Sequence, residues 1–214
     1  MRMIQFLCLI AMPLLLLGAD APEQDDGFVS LFNGKDLSGW TGDVAGYDVE
    51  DGTMVCKPGG NIFTEKAFSN FVFRFEFKFT PGANNGLGIR AANGSGNVSY
   101  QAMELQILEN TADKYKDLHP WQYHGSVYGV VPAKRGYLKP VGEWNQQEVL
   151  ADGDHIKVTL NGHVIVDTHL KEAAKNGTID GKDHPGLFRT TGHIAFLGHG
   201  DVLWFRNIRV KELP

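Results

Sequence analysis

Two polar residues in the middle of the chain have the types and spacing needed for acid–base chemistry. Glu104 and Gln106 alternate with the apolar residues Met103, Leu105 and Ile107. In a β-strand this alternation places the polar side chains on one face and the apolar side chains on the other. A carboxylate on such a face can act as a general base, and a neighbouring amide can bind a hydroxyl or carbonyl oxygen. The pair therefore marks a candidate catalytic strand.

Three further polar residues are expected close to this strand. Arg90 and Tyr128 each alternate with apolar residues in strand candidates of their own, and His199 lies in a Gly-His-Gly turn. If these segments are neighbours in one sheet, their polar side chains line one pocket together with Glu104 and Gln106. The same alternation is also typical of a solvated sheet face, and Arg90 with Glu104 could form a simple cross-strand salt bridge.

The clearest structural signal in the chain is a strand over Asn70–Thr80. Five aromatic residues occupy alternate positions there, whereas a helix would scatter them around its circumference. We therefore expect this aromatic face in the core between two sheets. Its members are Phe71, Phe73, Phe75, Phe77 and Phe79.

The other strands are delimited by turns. Three Asx-Gly pairs accept positive φ at low cost and predict hairpins at Asp51-Gly52, Asp152-Gly153 and Asn161-Gly162. Helix is nearly absent, with one turn expected at Leu170–Lys175, and the longest irregular stretch is Asn110–His124. About twelve short strands with no interior linker predict an all-β fold, a two-sheet antiparallel sandwich. The further strand candidates are Gly86–Ala91, Met103–Glu109, Gly125–Val131, Gly192–Leu197 and Val202–Leu213.

The 214 residues suffice for one domain behind an export signal. Arg2 precedes an apolar run of about 12 residues, whereas a membrane-spanning helix needs roughly 20. We therefore expect a signal peptide over residues 1–19, a flexible leader over 20–27 and a single β-sandwich domain over 28–214. The mature protein would be secreted or periplasmic, without a membrane partner.

Composition and missing motifs exclude several classes of function. The net charge is −5 with no basic run, which argues against nucleic acid and anionic membranes as partners. Without Cys8 only Cys56 remains, so no internal disulfide is expected. The chain lacks a Gly-x-Ser-x-Gly elbow, a His-Glu-x-x-His pair and a phosphate loop, which disfavours serine hydrolases, zinc proteases and nucleotide enzymes. Most other histidines, His184 among them, are expected at the surface. Nothing in the sequence indicates the oligomeric state.

Several motifs in order along the chain resemble the 3-keto-disaccharide hydrolase family, which was long a domain of unknown function. Residues 28–40 (FVSLFNGKDLSGW) resemble the opening of that family, and 84–90 (NNGLGIR) and 104–110 (ELQILEN) resemble two of its strand motifs. The segments 125–128, 142–145, 160–162 and 198–213 complete the set. The sequence departs from the family pattern at Glu109, where Asp is usual, and at Leu197-Gly198, where many members have Gln-Asp.

The resemblance implies a concanavalin A-like jelly roll, bacterial export and sugar substrates. It also implies that a ketone at C3 of the sugar acidifies the proton at C2, so that a base can remove it and the enolate can expel the glycosidic oxygen from C1. Such an enzyme needs one general base, a stabiliser of the enolate oxygen and an acid for the leaving group. Glucanases of this fold carry Glu-x-Asp-x-Glu on one strand face, whereas this chain has Glu104-x-Gln106-x-Leu108.

Roles follow for the candidate residues under this hypothesis. His199 or Glu104 would be the base, Arg90 and Gln106 would hold the keto oxygen and hydroxyls, and Tyr128 would serve as acid or sugar contact. A divalent metal could polarise the ketone, although the histidine spacing offers no metal signature. The alternatives left open are a non-catalytic, lectin-like carbohydrate-binding module and an interaction domain without a sugar site. The further expected sugar contacts are Trp121, His124 and Trp144.

Overall fold

A computed structural model describes residues 27–92, 94 and 98–214 of the chain. The expected signal peptide and nearly all of the leader lie outside these residues, so both remain predictions. No helix in the described part is long and apolar enough to cross a membrane. The strands are β1 Val29–Ser30, β2 Trp40–Gly42, β3 Tyr47–Glu50, β4 Thr53–Cys56, β5 Asn61–Phe68, β6 Phe71–Phe79, β7 Asn84–Ala91, β8 Met103–Leu108, β9 Asn145–Asp152, β10 His155–Leu160, β11 His163–His169, β12 Gly192–Leu197 and β13 Leu203–Glu212; the α-helices are α1 Val98–Gln101 and α2 Leu170–Ala173.

The strands form two antiparallel sheets, which confirms the all-β sandwich. An eight-stranded sheet has the order β11-β10-β9-β6-β13-β4-β3, with β1 paired to β13. A five-stranded sheet has the order β2-β5-β12-β7-β8. The sheets pack face to face, so each has an inner face in the core and an outer face.

The aromatic strand lies in the core as predicted. The five phenylalanines of β6 are between 0 and 2% exposed. From Phe73 to Phe79 the successive rings contact one another, and Phe75 contacts Phe196 on β12 of the opposite sheet at 5.6 Å between centroids. On the outer face of β6, Arg74 pairs with Glu148 and Glu76 pairs with Arg206. Burial of each ring contributes roughly 2 kcal/mol to the sandwich.

The hairpin predictions hold at two turns and shift by one residue at the third. Asp51 and Asn161 both have φ near +50°, each followed by a glycine with positive φ, as a mirror-image turn requires. Between β9 and β10 the two loop residues are Gly153 and Asp154, because Asp152 still pairs with His155. The single helical turn expected near Leu170 is confirmed as α2.

Several segments differ from the strand predictions, among them the short strands β1 and β2, which were not predicted. Residues 125–131 form a turn beside β8 rather than a strand, because the chain reverses at Gly129, where φ is +74°, and Val131 bridges back to Val127. The strand β5 was not predicted, since its second half, Thr64–Ala67, has no apolar alternation. It is held by partners distant in sequence, β2 on one side and β12 on the other.

Candidate active site

The outer face of the five-stranded sheet carries Glu104. On β8, Met103, Leu105 and Ile107 lie in the core, so Glu104 points outward as the alternation predicts. The carboxylate of Glu104 occupies the space that a side chain at Gly86 on β7 would fill. Leu197 on β12 borders the same space. Although it faces outward, Glu104 is only 3% exposed. The site therefore holds a carboxylate in a confined setting, positioned by a glycine.

Gln106 lies one step along the same strand face. Its Oε1 accepts a hydrogen bond from the main-chain N–H of Ile107, 3.1 Å away. This bond orients the amide, so that Nε2 is the group available to donate to a ligand. Gln106 pairs with Gly86 on the neighbouring strand β7, and Gly86 is the glycine that leaves space for the Glu104 carboxylate. An amide donor and a carboxylate therefore share one patch of the sheet.

Tyr128 reaches the same patch from the turn beside β8. Its main-chain N–H donates to the carbonyl of Glu104 at 3.0 Å, and its neighbour Val127 faces the core. The Tyr128 ring is consequently on the outer side. Burial raises the pKa of Tyr128, Tyr100 and Glu104 raise it further, and Gln122 and Lys182 lower it in part. The hydroxyl accepts a hydrogen bond from Nε2 of Gln122 at 3.3 Å.

Aromatic rings form one side of this patch. The Trp121 ring meets Tyr128 edge to face at 4.9 Å and stacks in parallel on His119 at 5.4 Å. Trp121 is half-buried and His119 is exposed. Flat apolar faces beside amide donors are typical of carbohydrate sites. Trp121 therefore borders the patch, and its contact with a sugar remains a prediction.

The opposite side consists of residues that the sequence analysis did not single out. Helix α1 carries Tyr100, whose hydroxyl accepts a hydrogen bond from Nζ of Lys182 at 2.9 Å. Behind them, His184 bonds Asp180 at 3.0 Å. Their side chains are 2% and 1% exposed, so the expectation of His184 at the surface was wrong. The Asp-x-x-x-His spacing in an irregular segment gave no pattern that sequence reasoning could use.

His199 follows β12 at the end near Gly86 and Leu197. It is exposed, and partial desolvation lowers its pKa, while the nearby carboxylate of Asp201 opposes that shift. Its imidazole is therefore neutral near pH 7. Asp201 accepts a hydrogen bond from the main-chain N–H of Asn84 at 3.0 Å. No described contact joins His199 to Glu104, so its place in the site remains a prediction.

Arg90 is not part of this patch, contrary to expectation. A β-bulge between β7 and β12 and a φ of +53° at Arg90 break the strand alternation there. The guanidinium points to the end of the sandwich, where it donates to the carbonyls of Ser69, Gly153 and Arg189 and to the Asn70 side chain. Arg90 thus ties together the turn between β5 and β6, the hairpin turn between β9 and β10 and the loop before β12. The alternative of a salt bridge with Glu104 is not among the ion pairs of the described residues.

His124 was also misplaced by the sequence analysis. Its ring lies in the core, 2% exposed, against Phe77 and Phe79. Nδ1 accepts a hydrogen bond from the N–H of Leu108, so Nε2 carries the proton and donates to Oε1 of Gln147 at 3.0 Å. Burial lowers the pKa of His124 to about 3. It is a neutral structural residue that cannot contact a sugar on the outer face.

Trp144 lies on the wrong sheet to contact a ligand bound at Glu104. Its ring is covered by Arg206 at 4.0 Å and by Lys78 at 5.1 Å, both on the outer face of the eight-stranded sheet. A cavity of about 230 Å³ on that sheet is lined by polar residues including Arg74 and Glu148. Those two charges already pair with each other, so this cavity offers no free acid or base.

The described residues do not fit a bound divalent metal. No group of three or more His, Cys, Asp or Glu side chains in the described ranges is arranged to hold an ion.

Glu109, where the sequence departs from the family motif, has a structural role. Burial would raise the pKa of its carboxyl, but hydrogen bonds from Thr111 and the N–H of Gly82 outweigh burial and lower the pKa.

Comparisons with known proteins agree with this architecture. Residues 27–211 match the model of the 3-keto-alpha-glucoside-1,2-lyase-like domain. A 3-keto-disaccharide hydrolase from Bacteroides thetaiotaomicron is 26% identical over 239 residues, covering 90% of this chain and 80% of the relative. A structure from Parabacteroides distasonis, assigned as a glycosyl hydrolase, is 27% identical with a TM-score of 0.77. The match covers 87% of this chain and 99% of that chain. The carbohydrate-binding module CBM66 from Bacillus subtilis, at 13% identity and a TM-score of 0.52 over 81% of this chain and 96% of that one, shares the fold.

Proposed function

The chain belongs to the family of 3-keto-alpha-glucoside-1,2-lyase-like domains, a carbohydrate-active, hydrolase-like group, and we propose that it cleaves glycosides whose sugar carries a ketone at C3. The observation that carries this proposal is the single carboxylate on the outer face of β8. The positions of Glu104, Gln106 and Leu108 supply one acid only. Conventional glycosidases require two carboxyl groups about 5–10 Å apart. Abstraction of a proton beside a ketone requires one.

In the proposed mechanism Glu104 is the general base. Its carboxylate removes the proton from C2, and the electron pair moves into an enolate whose negative charge lies on the C3 oxygen. The Nε2 group of Gln106, oriented by the Ile107 N–H, donates a hydrogen bond to that oxygen. Collapse of the enolate restores the ketone, forms the C1–C2 double bond and breaks the C1–O glycosidic bond. An acid gives the leaving oxygen its proton.

Hydrolysis is completed when water adds across the double bond. The hydroxyl attaches to C1, and protonated Glu104 returns the proton to C2. If the alkene dissociates before water adds, the same residues act as a lyase. Confinement of Glu104 between Gly86 and Leu197 keeps its carboxylate in one orientation for both steps.

The choice of Glu104 over His199 as base rests on burial and position. Glu104 is 3% exposed beside Gln106 and Tyr128, whereas His199 is exposed beyond the end of β12. The test uses a 3-keto disaccharide with deuterium at C2, together with Glu104→Gln and His199→Gln. We expect a primary isotope effect in the unmodified protein, loss of at least about 1,000-fold in Glu104→Gln, and a smaller loss in His199→Gln. The reverse order of the two variants would assign the base to His199.

A carbohydrate-binding module remains the second candidate, and one feature favours it. Trp121 and Tyr128 form an aromatic corner next to the amides of Gln106 and Gln122, which can bind a sugar without any titratable group. This candidate predicts that Glu104→Gln binds sugar as tightly as the unmodified protein and that neither turns it over. Titration calorimetry with 3-keto and plain disaccharides separates the two functions.

A further inference from the structure

Helix α1 covers part of the outer face and presents Tyr100 to the site. Val98 on this helix fills the space above Gly88, the neighbour of Gly86 on the same face of β7. The Tyr100 ring meets the Tyr128 ring edge to face, with centroids 6.5 Å apart. Because the main-chain N–H of Tyr128 bonds the carbonyl of Glu104 and the Tyr100 ring contacts the Tyr128 ring, Tyr100 borders the same patch. A sugar over Glu104 would then have two tyrosine side chains beside it.

The two tyrosines differ in the group that faces their oxygen. The Tyr100 oxygen accepts a hydrogen bond from the ammonium of Lys182, whereas the Tyr128 oxygen accepts one from the neutral amide of Gln122. The bond to Tyr100 raises the pKa of Lys182, so the ammonium stays charged. A positive donor stabilises the phenolate formed when a tyrosine gives up its proton. Since the Tyr100 oxygen accepts from Lys182, its own O–H is available to a ligand.

The loop that carries Lys182 is held firmly in place. The main-chain N–H of Lys182 donates to Oδ1 of Asp180 at 3.0 Å, and the Thr178 hydroxyl donates to the Lys182 carbonyl at 2.6 Å. Asp180 in turn bonds His184, whose ring packs on Tyr100 at 4.8 Å. This buried pair sits against Gly129, where a Cβ would lie 2.8 Å from Cγ of Asp180 and 2.7 Å from Nε2 of His184.

We propose that Tyr100 is the general acid that protonates the leaving oxygen, with Lys182 as the positioning residue that stabilises its phenolate. This inference rests on the proposed function of the same site. As the C1–O bond breaks, the Tyr100 proton passes to the glycosidic oxygen, and the C2 proton resides on Glu104. When water adds, the Tyr100 phenolate takes one proton from the water as its oxygen bonds to C1. Glu104 returns its proton to C2, and both groups are restored.

Tyr128 is the competing candidate for the acid, and its environment disfavours that role. Burial raises its pKa, and Tyr100 and Glu104 add to that rise, whereas Gln122 and Lys182 offset it only in part. The hydrogen bond from Lys182 goes to Tyr100 and not to Tyr128. Tyr128, with Trp121 against its ring, instead forms the apolar wall for the sugar. In this proposal Tyr100 transfers the proton and Tyr128 contacts the sugar.

The test compares leaving groups of different acidity. Two 3-keto-α-glucosides are used, one with a methyl leaving group and one with 4-nitrophenolate, which departs without protonation. For Tyr100→Phe we expect kcat to fall about 100-fold or more on the methyl glycoside and less than about threefold on the nitrophenyl glycoside. Lys182→Met should show the same pattern more weakly, and Lys182→Arg should recover most of the loss. Tyr128→Phe is the matched control and should affect both substrates equally.

Each other outcome has a defined meaning. Equal losses on both substrates for Tyr100→Phe, or leaving-group dependence confined to Tyr128→Phe, would overturn the assignment of the acid. If the unmodified protein cleaves neither glycoside, the proposed function itself fails, and the inference fails with it. Thermal unfolding of each variant distinguishes these results from loss of the fold, and the Tyr-to-Phe changes preserve the ring packing on His184 and Trp121.

Discussion

Adding one methyl group at Gly86 should inactivate the site without unfolding the sandwich. A Cβ at this position would lie 2.9 Å from Cδ of Glu104, closer still to Oε1, and 3.0 Å from Cδ1 of Leu197. Carbon atoms in ordinary contact are roughly 3.5–4.0 Å apart, so the carboxyl group must move by about 1 Å. The displaced atoms belong to the end of a flexible side chain, so the cost to stability is small.

The expected loss of rate follows from that displacement. A misplacement of about 1 Å in a catalytic group costs on the order of 100-fold in rate, equivalent to about 2.7 kcal/mol of activation free energy. We therefore expect Gly86→Ala to lower kcat on a 3-keto disaccharide about 100-fold, with the free energy of unfolding changed by less than about 1.5 kcal/mol. Steady-state kinetics and urea unfolding measure the two quantities.

Two comparisons show whether Glu104 transmits the effect. Gly88→Ala is the comparison variant, because a Cβ there would lie 2.9 Å from Cγ1 of Val98 on helix α1 and 3.4 Å from Ala195 rather than against the Glu104 carboxylate. It should lower kcat less than Gly86→Ala does, since the end of the Val98 side chain can shift without moving Glu104. In Glu104→Gln the added Gly86→Ala change should cause no further loss, since the two act through one group. Full activity in Gly86→Ala, or additive losses in the double variant, would refute this account of the site.

Three further outcomes test other parts of the structure. Replacing Arg90 with Met should reduce the free energy of unfolding by about 3 kcal/mol, because four acceptors lose their donor. The kcat of the folded variant should stay within a few fold. A large drop in kcat with unchanged stability would instead indicate that Arg90 acts in the active site. Because the pKa of His124 is about 3 in the fold and near 6.5 unfolded, the unfolded chain binds more protons between these values, so stability falls as pH falls through that window. From pH 7 to pH 5 the free energy of unfolding, measured with urea, should fall by about 2 kcal/mol more in the unmodified protein than in His124→Gln. Equal decreases in the two proteins would contradict a buried neutral ring at His124. We also propose export, so expression of residues 1–214 in a bacterium should release a protein cleaved near Ala19 or Ala21, and an uncleaved cytoplasmic product by mass spectrometry would exclude it.

The strand faces were predictable because their signal is local. In β6 and β8 the alternation alone separates core residues from outer ones, so the phenylalanine ladder and the outward position of Glu104 follow from the sequence. The same rule failed at Arg90, where a bulge and a positive φ redirect one side chain. Bulges of this kind depend on the neighbouring strand and leave no mark in a single sequence.

The other side of the site depends on contacts between distant segments. Tyr100 and Lys182 are 82 positions apart and meet only because the loop before β12 folds over α1. His124 and Gln147 likewise pair through the core, which reverses the expected exposure of that histidine. Residue type and spacing therefore offered the proposed base, with His199 as its alternative, and its amide neighbour, whereas the proposed acid could be found only from the structure.

The most direct test of the central claim is a comparison of substrates that differ only at C3. Purified protein is incubated with a disaccharide and with the same disaccharide oxidised to the 3-ketone, and the released sugars are quantified by chromatography. The single carboxylate at Glu104 predicts cleavage of the ketone alone, with the plain sugar at least about 1,000-fold slower. Equal rates on both sugars would contradict the mechanism and indicate a conventional glycosidase.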